Sequence, residues 1–256
     1  MLIAISALKG YAVEVSDEGA IGTIHDVLFD DRTWIMRWLV VDVSSWLTGR
    51  KVLVHPSAIR TSDYVNEVLR LGLTKAQVEA SPPSALDEPV SVRMESGLYE
   101  YYGPDPMWGP SSFGAGALGG PLAVSGYFGG GTPGDVLDEE PLQDGGDPHL
   151  RSFAEVTGYH IHATDGMIGH AENFLIDDGT WDVRYIIVDT KNWWPGAHVL
   201  ISPYAVKAVS WKRRGIMLDV DLATVKSSPH WDPIAMIDQV YEKELHNYYG
   251  WRGYGF

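Results

Sequence analysis

An internal repeat constrains the fold of this chain more than any other feature of its sequence. Residues 30–56 and 177–203 align without a gap at a spacing of 147 and are identical at twelve of 27 positions. The identical positions are Asp30/Asp177, Asp31/Asp178, Thr33/Thr180, Trp34/Trp181, Arg37/Arg184, Val41/Val188, Asp42/Asp189, Trp46/Trp193, Gly49/Gly196, Val52/Val199, Leu53/Leu200 and Pro56/Pro203. Since repeated sequence encodes repeated structure, the chain is predicted to contain two units of one plan.

The repeat also predicts the domain organisation. Beyond the aligned block, Tyr101-Tyr102-Gly103 matches Tyr248-Tyr249-Gly250 at the same spacing, so each copy has about a hundred residues, a normal domain size. Residues 109–150 carry twelve glycines, five prolines and six acidic residues without Lys or Arg, which is the composition of a linker. We therefore expect a first repeat with a helical tail at 1–108, a Gly/Pro-rich acidic linker at 109–150, and a second repeat with a helical tail at 151–256.

Short apolar and alternating segments predict that both copies are mainly β. Residues 11–15 and 21–29 have the pattern of two strands in a hairpin. Residues 34–43 are apolar on both faces, as in a strand that is covered on both sides. Because roughly five or six short strands with close turns are typical of a small closed barrel, we predict two small β-barrels, each followed by short C-terminal helices. The last helix is expected to be capped by Asp232 and to end near Tyr249.

Charge and composition argue against several classes of function. The chain of 256 residues has a formal net charge of −15, which disfavours a nucleic-acid partner because phosphate binding requires a basic face. No segment reaches the roughly 18 consecutive apolar residues of a membrane span, and residues 1–8 lack the features of a signal peptide. We therefore expect a cytoplasmic protein without membrane insertion. The absence of cysteine excludes disulfides and thiolate metal sites.

The matched acids, arginines and first tryptophans of the repeat are interpreted as structural residues. Asp-Asp before Thr-Trp is typical of a turn in which a carboxylate accepts backbone N–H bonds two residues on. The aspartate that ends the following strand is expected to accept bonds from the next loop or to pair with the matched arginine. This structural set comprises Trp34, Arg37, Asp42, Trp181, Arg184 and Asp189. Because no nucleophile or phosphate loop is repeated with the acids, no catalytic residue is assigned and no enzymatic activity is expected.

Histidines of the second copy leave a metal site open as an alternative. His160 and His162 share one face of a predicted strand, and His170 and His198 follow in the same copy. The matched positions of the first copy hold Ala12, Glu14, Thr23 and Lys51. Solvated histidines are the favoured interpretation, and no metal is predicted. A metal-binding protein or metal-dependent enzyme that uses these histidines is the alternative.

A glycine-rich stretch at residues 114–119 matches the pattern G-x-G-x-x-G. That pattern binds a dinucleotide only where it joins a strand to a helix, and here Pro110 and Pro121 flank it. We therefore predict no nucleotide, and the sequence predicts no other cofactor.

Aromatic residues outside the predicted strands are candidates for protein contacts. Trp46, Trp193 and Trp194 lie in the matched loop, where tryptophan either caps a barrel end or anchors a partner. In the linker the candidates are Phe113, Tyr127 and Phe128, since burial of such side chains is needed to hold a glycine-rich segment in place. We expect the linker to pack on the barrels or on a neighbouring subunit. The expected protein partner is thus a second copy of the chain, in a homo-oligomer or a repeating assembly.

The repeated motifs resemble those of the PRC-barrel domain. In the first copy they are Gly10-Tyr11, Gly19, Ile21-Gly22, residues 27–31, Trp34 and residues 37–42. In the second copy they are Gly158-Tyr159, Ile168-Gly169, Asp177-Asp178, Trp181 and residues 184–189. This family is named for the cytoplasmic domain of the photosynthetic reaction-centre H subunit and also occurs in a ribosome maturation factor. With its two copies and Tyr-Tyr-Gly tails, the chain is similar to bacterial tandem PRC-barrel proteins.

The resemblance implies a protein-interaction or scaffold module of unassigned pathway, because the characterised relatives use the barrel to dock on other proteins. It supplies no catalytic residue to carry over. The sequence is expected to lack the membrane helix of the H subunit and the N-terminal domain of the ribosome factor, so neither specific role transfers. A ribosome-associated assembly factor is kept as a second alternative.

Overall fold

The computed structural model describes residues 1–43, 50–81, 149–190, 198–210, 212–231 and 237–254. The chain divides into two compact units: the N-terminal unit comprises Ala7–Ser152, and the C-terminal unit comprises Met1–Ser6 together with Phe153–Phe256. Both are mainly β, which confirms the predicted fold class. Each unit contains a short segment from the other half of the sequence.

Short strands and a few helices alternate along the described residues. In chain order they are β1 (Leu2–Ala4), α1 (Ile5–Leu8), β2 (Ala12–Val15), β3 (Gly19–Asp30), β4 (Ile35–Asp42), β5 (Lys51–Val54), a 3-10 turn (Pro56–Ala58), β6 (Ile59–Asp63), β7 (Val68–Leu71), α2 (Lys75–Ala80), β8 (Leu150–Ser152), α3 (Phe153–Val156), β9 (His160–Ala163), β10 (Gly166–Asp177), β11 (Val183–Asp189), β12 (His198–Ile201), a second 3-10 turn (Pro203–Ala205), β13 (Val206–Ser210), β14 (Gly215–Leu218), α4 (Leu222–Lys226) and α5 (Gln239–Tyr249).

Each unit builds one seven-stranded sheet, and the two sheets share one strand order. The N-terminal sheet has the order β5-β4-β3-β2-β7-β6 with β8 paired to β3, and the C-terminal sheet has β12-β11-β10-β9-β14-β13 with β1 paired to β10. Parallel pairing occurs between β2 and β7 and between β9 and β14. The irregularities also recur, because β3 shifts register between Ile24 and Asp26 and β10 does so between Ala171 and Asn173.

The strand path of each sheet is open, whereas the sequence predicts a closed barrel. Among the described strands, β5 and β6 end the path of the N-terminal sheet and do not pair with each other. The 3-10 turn between them lies at a corner, where the His55 side chain accepts a hydrogen bond from the Ser57 N–H. Because Pro56 at this corner fixes its φ and has no N–H, the chain leaves β5 in a new direction and β6 pairs with β7 instead.

The central strands β4 and β11 are covered on both faces, as their apolar pattern predicts. In β4 the neighbouring side chains of Trp38 and Leu39 point to opposite faces, and both are fully buried. Tyr185 and Ile186 show the same in β11. The apolar core of each unit therefore lies on both sides of its central strand.

Helix ends follow their capping chemistry. α2 begins after Thr74, which forms a capping box with Gln77. The predicted cap Asp232 lies outside the described residues. The C-terminal helix α5 has Asp238 as its N-cap, whose side chain accepts from the Tyr241 N–H. It ends as expected at Tyr249, with Gly250 in the left-handed conformation.

Candidate strand-docking sites

Two strand edges, one in each unit, receive a short strand from the other half of the sequence. β3 and β10 are twelve residues long. One edge of β3 is covered by β4 and one edge of β10 by β11, while β2 and β9 cover only the first part of the opposite edge. The last part of that edge accepts β8 in the N-terminal unit and β1 in the C-terminal unit. We term residues 28–31 the β3 docking edge and residues 175–178 the β10 docking edge.

Backbone pairing holds β8 on the β3 docking edge. The paired residues are Leu28 with Ser152, Phe29 with Arg151, and Asp30 with Leu150. One residue further, the Asp31 N–H donates to the His149 carbonyl oxygen at 2.9 Å. These bonds satisfy backbone groups that an uncovered edge leaves exposed.

Asp31 anchors the docked strand through its side chain. The Arg151 Nε donates to Asp31 Oδ2 at 2.5 Å, and His149 Nδ1 lies 3.0 Å from Asp31 Oδ1. The Arg151 and Asp31 side chains are 8% and 7% exposed, so this ion pair is buried. At the other end of β8, the Ser152 hydroxyl donates to the Asp26 carboxylate. Two carboxylates of β3 and its turn therefore recognise side chains of the added strand.

The electrostatics of Asp31 depend on the docked strand. Burial raises the pKa of the Asp31 carboxyl above its ordinary value, while the Arg151 guanidinium and His149 act in the opposite direction. Without Arg151, the cost of burying the carboxylate would be less well compensated. The Arg151 guanidinium of β8 therefore offsets part of the cost of burying Asp31.

The β10 docking edge is built on the same plan with different side chains. Its paired residues are Leu2 with Asp177, Ile3 with Ile176, and Ala4 with Leu175. The Asp178 N–H donates to the Met1 carbonyl oxygen at 3.0 Å, and the Met1 amino group contacts the Asp178 carboxylate. Asn173 bonds Ser6 twice, with its Nδ2 donating to the Ser6 hydroxyl at 2.6 Å. Ile3 thus occupies the register position that Arg151 has at the β3 docking edge.

Docked strands also add to the apolar packing of each sheet. Leu150 packs with Leu28 against the buried cluster of Trp38, Val40 and Leu53. In the C-terminal unit Leu2 and Ala4 pack against the cluster that contains Tyr185. The added strands therefore contribute hydrophobic area as well as backbone bonds.

The first matched aspartate forms the turn that ends each docking edge. Asp30 Oδ1 accepts from the N–H groups of Arg32 and Thr33 at 2.9 and 3.1 Å, and its other oxygen lies 3.3 Å from Arg37 Nη1. Asp177 makes the same turn, and Arg184 Nη2 lies 3.0 Å from its carboxylate. The arginines assigned as structural therefore contact the aspartate of the turn.

The matched tryptophans occupy an uncommon backbone conformation. Trp34 and Trp181 have φ values of 57° and 60°, in the left-handed region. Each N–H donates to the carbonyl oxygen of the first turn aspartate at 2.7 Å. Both side chains are buried. The strained backbone of the turn thus places a large aromatic ring in the core.

The matched aspartates Asp42 and Asp189 end β4 and β11, beside glycines of the neighbouring strands. A Cβ atom at Gly22 would lie 2.1 Å from the Asp42 carbonyl oxygen, and one at Gly169 would lie 2.0 Å from that of Asp189. Only glycine allows the two backbones this approach. The Asp189 side chain is buried and lies 3.6 Å from His170.

The histidines considered as metal ligands lie on adjoining strands. His160 and His162 lie on β9 with ring centroids 6.3 Å apart. His170 on β10 contacts Asp189, and His198 begins β12. In the part of the chain that the structure describes, no group of three or more His, Asp or Glu side chains is placed to hold a metal ion.

The six aromatic residues proposed for protein contacts lie outside the described residues. They are Trp46, Trp193 and Trp194 in the matched loop, and Phe113, Tyr127 and Phe128 in the linker.

The docking residues were missed in the sequence because their signal is weak. Residues 149–156 correspond to residues 1–8 at a spacing of 148, but Leu2 and Leu150 are their only identity. A strand of three residues shows too little periodicity to be predicted, and its partner lies more than a hundred residues away.

A buried polar network in the C-terminal unit was also missed. The Tyr185 hydroxyl donates to Glu242 Oε1 at 3.0 Å and lies 3.0 Å from His246 Nε2, while His246 Nδ1 donates to the Arg252 carbonyl oxygen at 2.6 Å. Burial raises the pKa of Glu242 and lowers the pKa of His246. The available signal was a departure from the repeat, because Tyr185 stands where the first copy has Trp38 and a buried hydroxyl needs partners.

Comparison with known proteins assigns a family to the first part of the chain. No curated protein matches the sequence. Within the described residues, none of the helices has the length and apolar character required to cross a membrane. The family model of the PRC-barrel domain matches residues 1–71, which run from β1 to the end of β7 and include the β3 docking edge. Residues 1–71 therefore carry a PRC-barrel domain.

Proposed function

We propose that the chain is a non-enzymatic protein-interaction module with two PRC-type barrels, and that it associates with itself through added strands. One observation carries the proposal: both sheets are completed by a strand that comes from a distant part of the sequence. The units thus already bind extended segments, which is the binding mode known as strand addition.

The β3 docking edge supports this function because it has both parts of a strand-addition site. Backbone bonds to an added strand give affinity without regard to sequence, and side-chain contacts give specificity. Here three register pairs supply the backbone bonds. Asp31 supplies the specificity, because its carboxylate receives Arg151 in a buried ion pair.

The assignment of a second PRC-type barrel is supported by features that recur in the C-terminal unit. The strand order and the parallel pair recur. So do the turn tryptophans with positive φ at Trp34 and Trp181, and the glycines that approach a neighbouring carbonyl oxygen at Gly22 and Gly169. These features are determined by backbone geometry, so they report the plan of the fold better than overall identity does.

Two docking edges and two strands on one chain suit a self-associating scaffold. A chain whose own strands fill its own docking edges is a monomer, and chains that exchange strands form dimers or longer assemblies. The contacts between strand and docking edge are the same in both states.

Light scattering coupled to gel filtration tests the self-association. We expect the intact chain to show the mass of a dimer or larger assembly, with a fraction that rises with protein concentration. A variant with residues 111–132 replaced by Gly and Ser separates the contribution of the linker aromatics from that of the docking edges. A monomeric mass for both proteins over the whole concentration range would overturn the proposed self-association.

A further inference from the structure

The contacts that hold β8 on the β3 docking edge do not depend on which chain supplies the strand. They consist of three backbone pairs, the Asp31 contacts with His149 and Arg151, and the bond from Ser152 to Asp26. The residues in these side-chain contacts are 118 to 126 positions apart in the sequence. The recognised element is therefore a short extended segment, residues 149–152, rather than a continuation of the neighbouring strand.

The two docking edges select different segments. At the β3 edge the residue opposite Phe29 is Arg151, and the buried Asp31 receives its guanidinium. At the β10 edge the residue in that register position is Ile3. An apolar side chain at the β3 edge would leave the Asp31 carboxylate buried without that cation, which is costly. Segment 149–152 thus carries a positive charge that directs it to the β3 edge.

We propose that the β3 docking edge is a binding site for residues 149–152 of a second copy of the chain, with the Asp31–Arg151 ion pair as the selective contact. This inference rests on the proposed function and names its partner, its surface and its specificity. The occupant is a second copy because the sequence itself provides the complementary segment, with the basic residue in the required register and a serine beside Asp26.

Cysteine cross-linking tests the exchange directly, because the chain contains no cysteine of its own. Leu28 and Ser152 lie opposite each other in the register, and directly opposed residues of antiparallel strands have Cβ atoms about 4.5 to 5.5 Å apart, close to disulfide geometry. The variants Leu28→Cys and Ser152→Cys are made in separate chains and refolded together under mild oxidation. Because each chain then carries one cysteine, a disulfide between these two positions links two chains.

The proposal predicts a covalent dimer from the mixture of the two single variants, seen on a non-reducing gel and assigned by mass spectrometry of the linked peptides. The double variant Leu28→Cys/Ser152→Cys shows that the pair is in register by forming the same linkage. Ser152→Cys mixed with Val65→Cys is the control for random oxidation, since Val65 is 92% exposed and lies in the turn between β6 and β7. Adding Arg151→Glu to the Ser152→Cys chain is expected to lower the dimer yield at least about tenfold.

Each outcome has a definite meaning. No mixed dimer, with the linkage present inside the double variant, overturns the exchange between chains. No linkage in the double variant overturns the docking site itself. If light scattering still shows a dimer of the wild-type chain in either case, self-association stands and uses another surface. If the wild-type chain is also monomeric, the proposed self-association fails as well.

Discussion

Replacing Arg151 by Met is the sharpest test of how the added strand is held. Methionine keeps the length and apolar stem of the side chain and removes its charge. The variant leaves the Asp31 carboxylate in its buried position, with His149 Nδ1 at 3.0 Å and without the guanidinium at 2.5 Å. Burial, which raises the pKa of Asp31, is then opposed by one fewer positive group.

The size of the effect follows from the burial of the pair. With the two side chains 8% and 7% exposed, the pair belongs to the buried class, for which removal of one partner costs about 3 to 5 kcal/mol. Because His149 still contacts Asp31, we expect the lower end of this range. For a chain of this size about 1 kcal/mol shifts the melting temperature by about 2 to 4 °C, so a fall of about 6 to 12 °C is expected at neutral pH.

The assay is thermal unfolding followed by circular dichroism at several pH values. A carboxyl whose folded pKa is raised contributes stability below its unfolded pKa and loses it as pH rises through the folded pKa. Arg151→Met raises the folded pKa of Asp31 further, so its deficit is largest at neutral pH and shrinks as pH falls toward the ordinary value of 3.8. Arg151→Met/Asp31→Asn removes both charges and is expected to recover most of the loss at neutral pH.

Arg32→Met is the matched control. Arg32 belongs to the same turn and lies 3.6 Å from Asp30, but its side chain is 63% exposed. An exposed pair contributes at most about 1 kcal/mol, so this variant should melt within about 4 °C of the wild type. Equal shifts for the two methionine variants, or a deficit for Arg151→Met that does not change with pH, would refute the role of Arg151 as the counterion of a buried carboxylate.

Two further substitutions test the close backbone approach between Gly22 and Asp42 and the polar network around Tyr185. Gly22→Ala is expected to destabilise the protein by at least about 1 to 3 kcal/mol in thermal or denaturant unfolding, because its Cβ would lie 2.1 Å from the Asp42 carbonyl oxygen. Glu242→Gln is expected to melt higher than the wild type at pH 7. Burial raises the pKa of Glu242 above 4.5, so the wild type loses stability as pH rises through that pKa. The amide of the variant donates to Tyr185 at every pH and lets Tyr185 donate to His246.

Each of these substitutions has a control in the same chain. Gly72→Ala places its Cβ 2.4 Å from the Arg60 side chain, which is exposed and can move, so little change is expected. Glu244→Gln makes the same change of charge on the exposed side of α5 and should change the melting temperature at pH 7 little. A Gly22→Ala variant as stable as Gly72→Ala would contradict the close backbone approach, and a Glu242→Gln variant that melts below the wild type at pH 7 would contradict the burial argument.

Local chemistry allowed the turns and the central strands to be predicted from the sequence. The matched Asp30 was expected to bond backbone N–H groups two residues on, and its carboxylate does so. The apolar pattern of β4 was expected to mean cover on both faces, and Trp38 and Leu39 are fully buried. Such features depend on a few consecutive residues, so the sequence contains the information needed.

The remainder could not be predicted because it depends on contacts between distant residues. Trp34 continues the apolar alternation of β4 and was assigned to that strand, but it lies in the turn with a φ of 57°. The second matched acid, Asp31, was also interpreted as a turn residue. Its main contacts are with His149 and Arg151, and nothing near Asp31 in the sequence indicates them.

The cover of sheet edges by distant segments gives one physical reason for both the stability of the sheets and the proposed interaction. A sheet edge with unpaired N–H and C=O groups is a template for another strand, and proteins cover or block such edges. Here the exposed parts of β3 and β10 are covered by segments from the opposite half of the sequence. At the β3 docking edge Arg151 and His149 offset the cost of burying the Asp31 carboxylate, so a covering segment with these side chains is favoured there. In the proposed assembly, the contacts that protect this edge inside one chain also hold the edge of one chain to the strand of another.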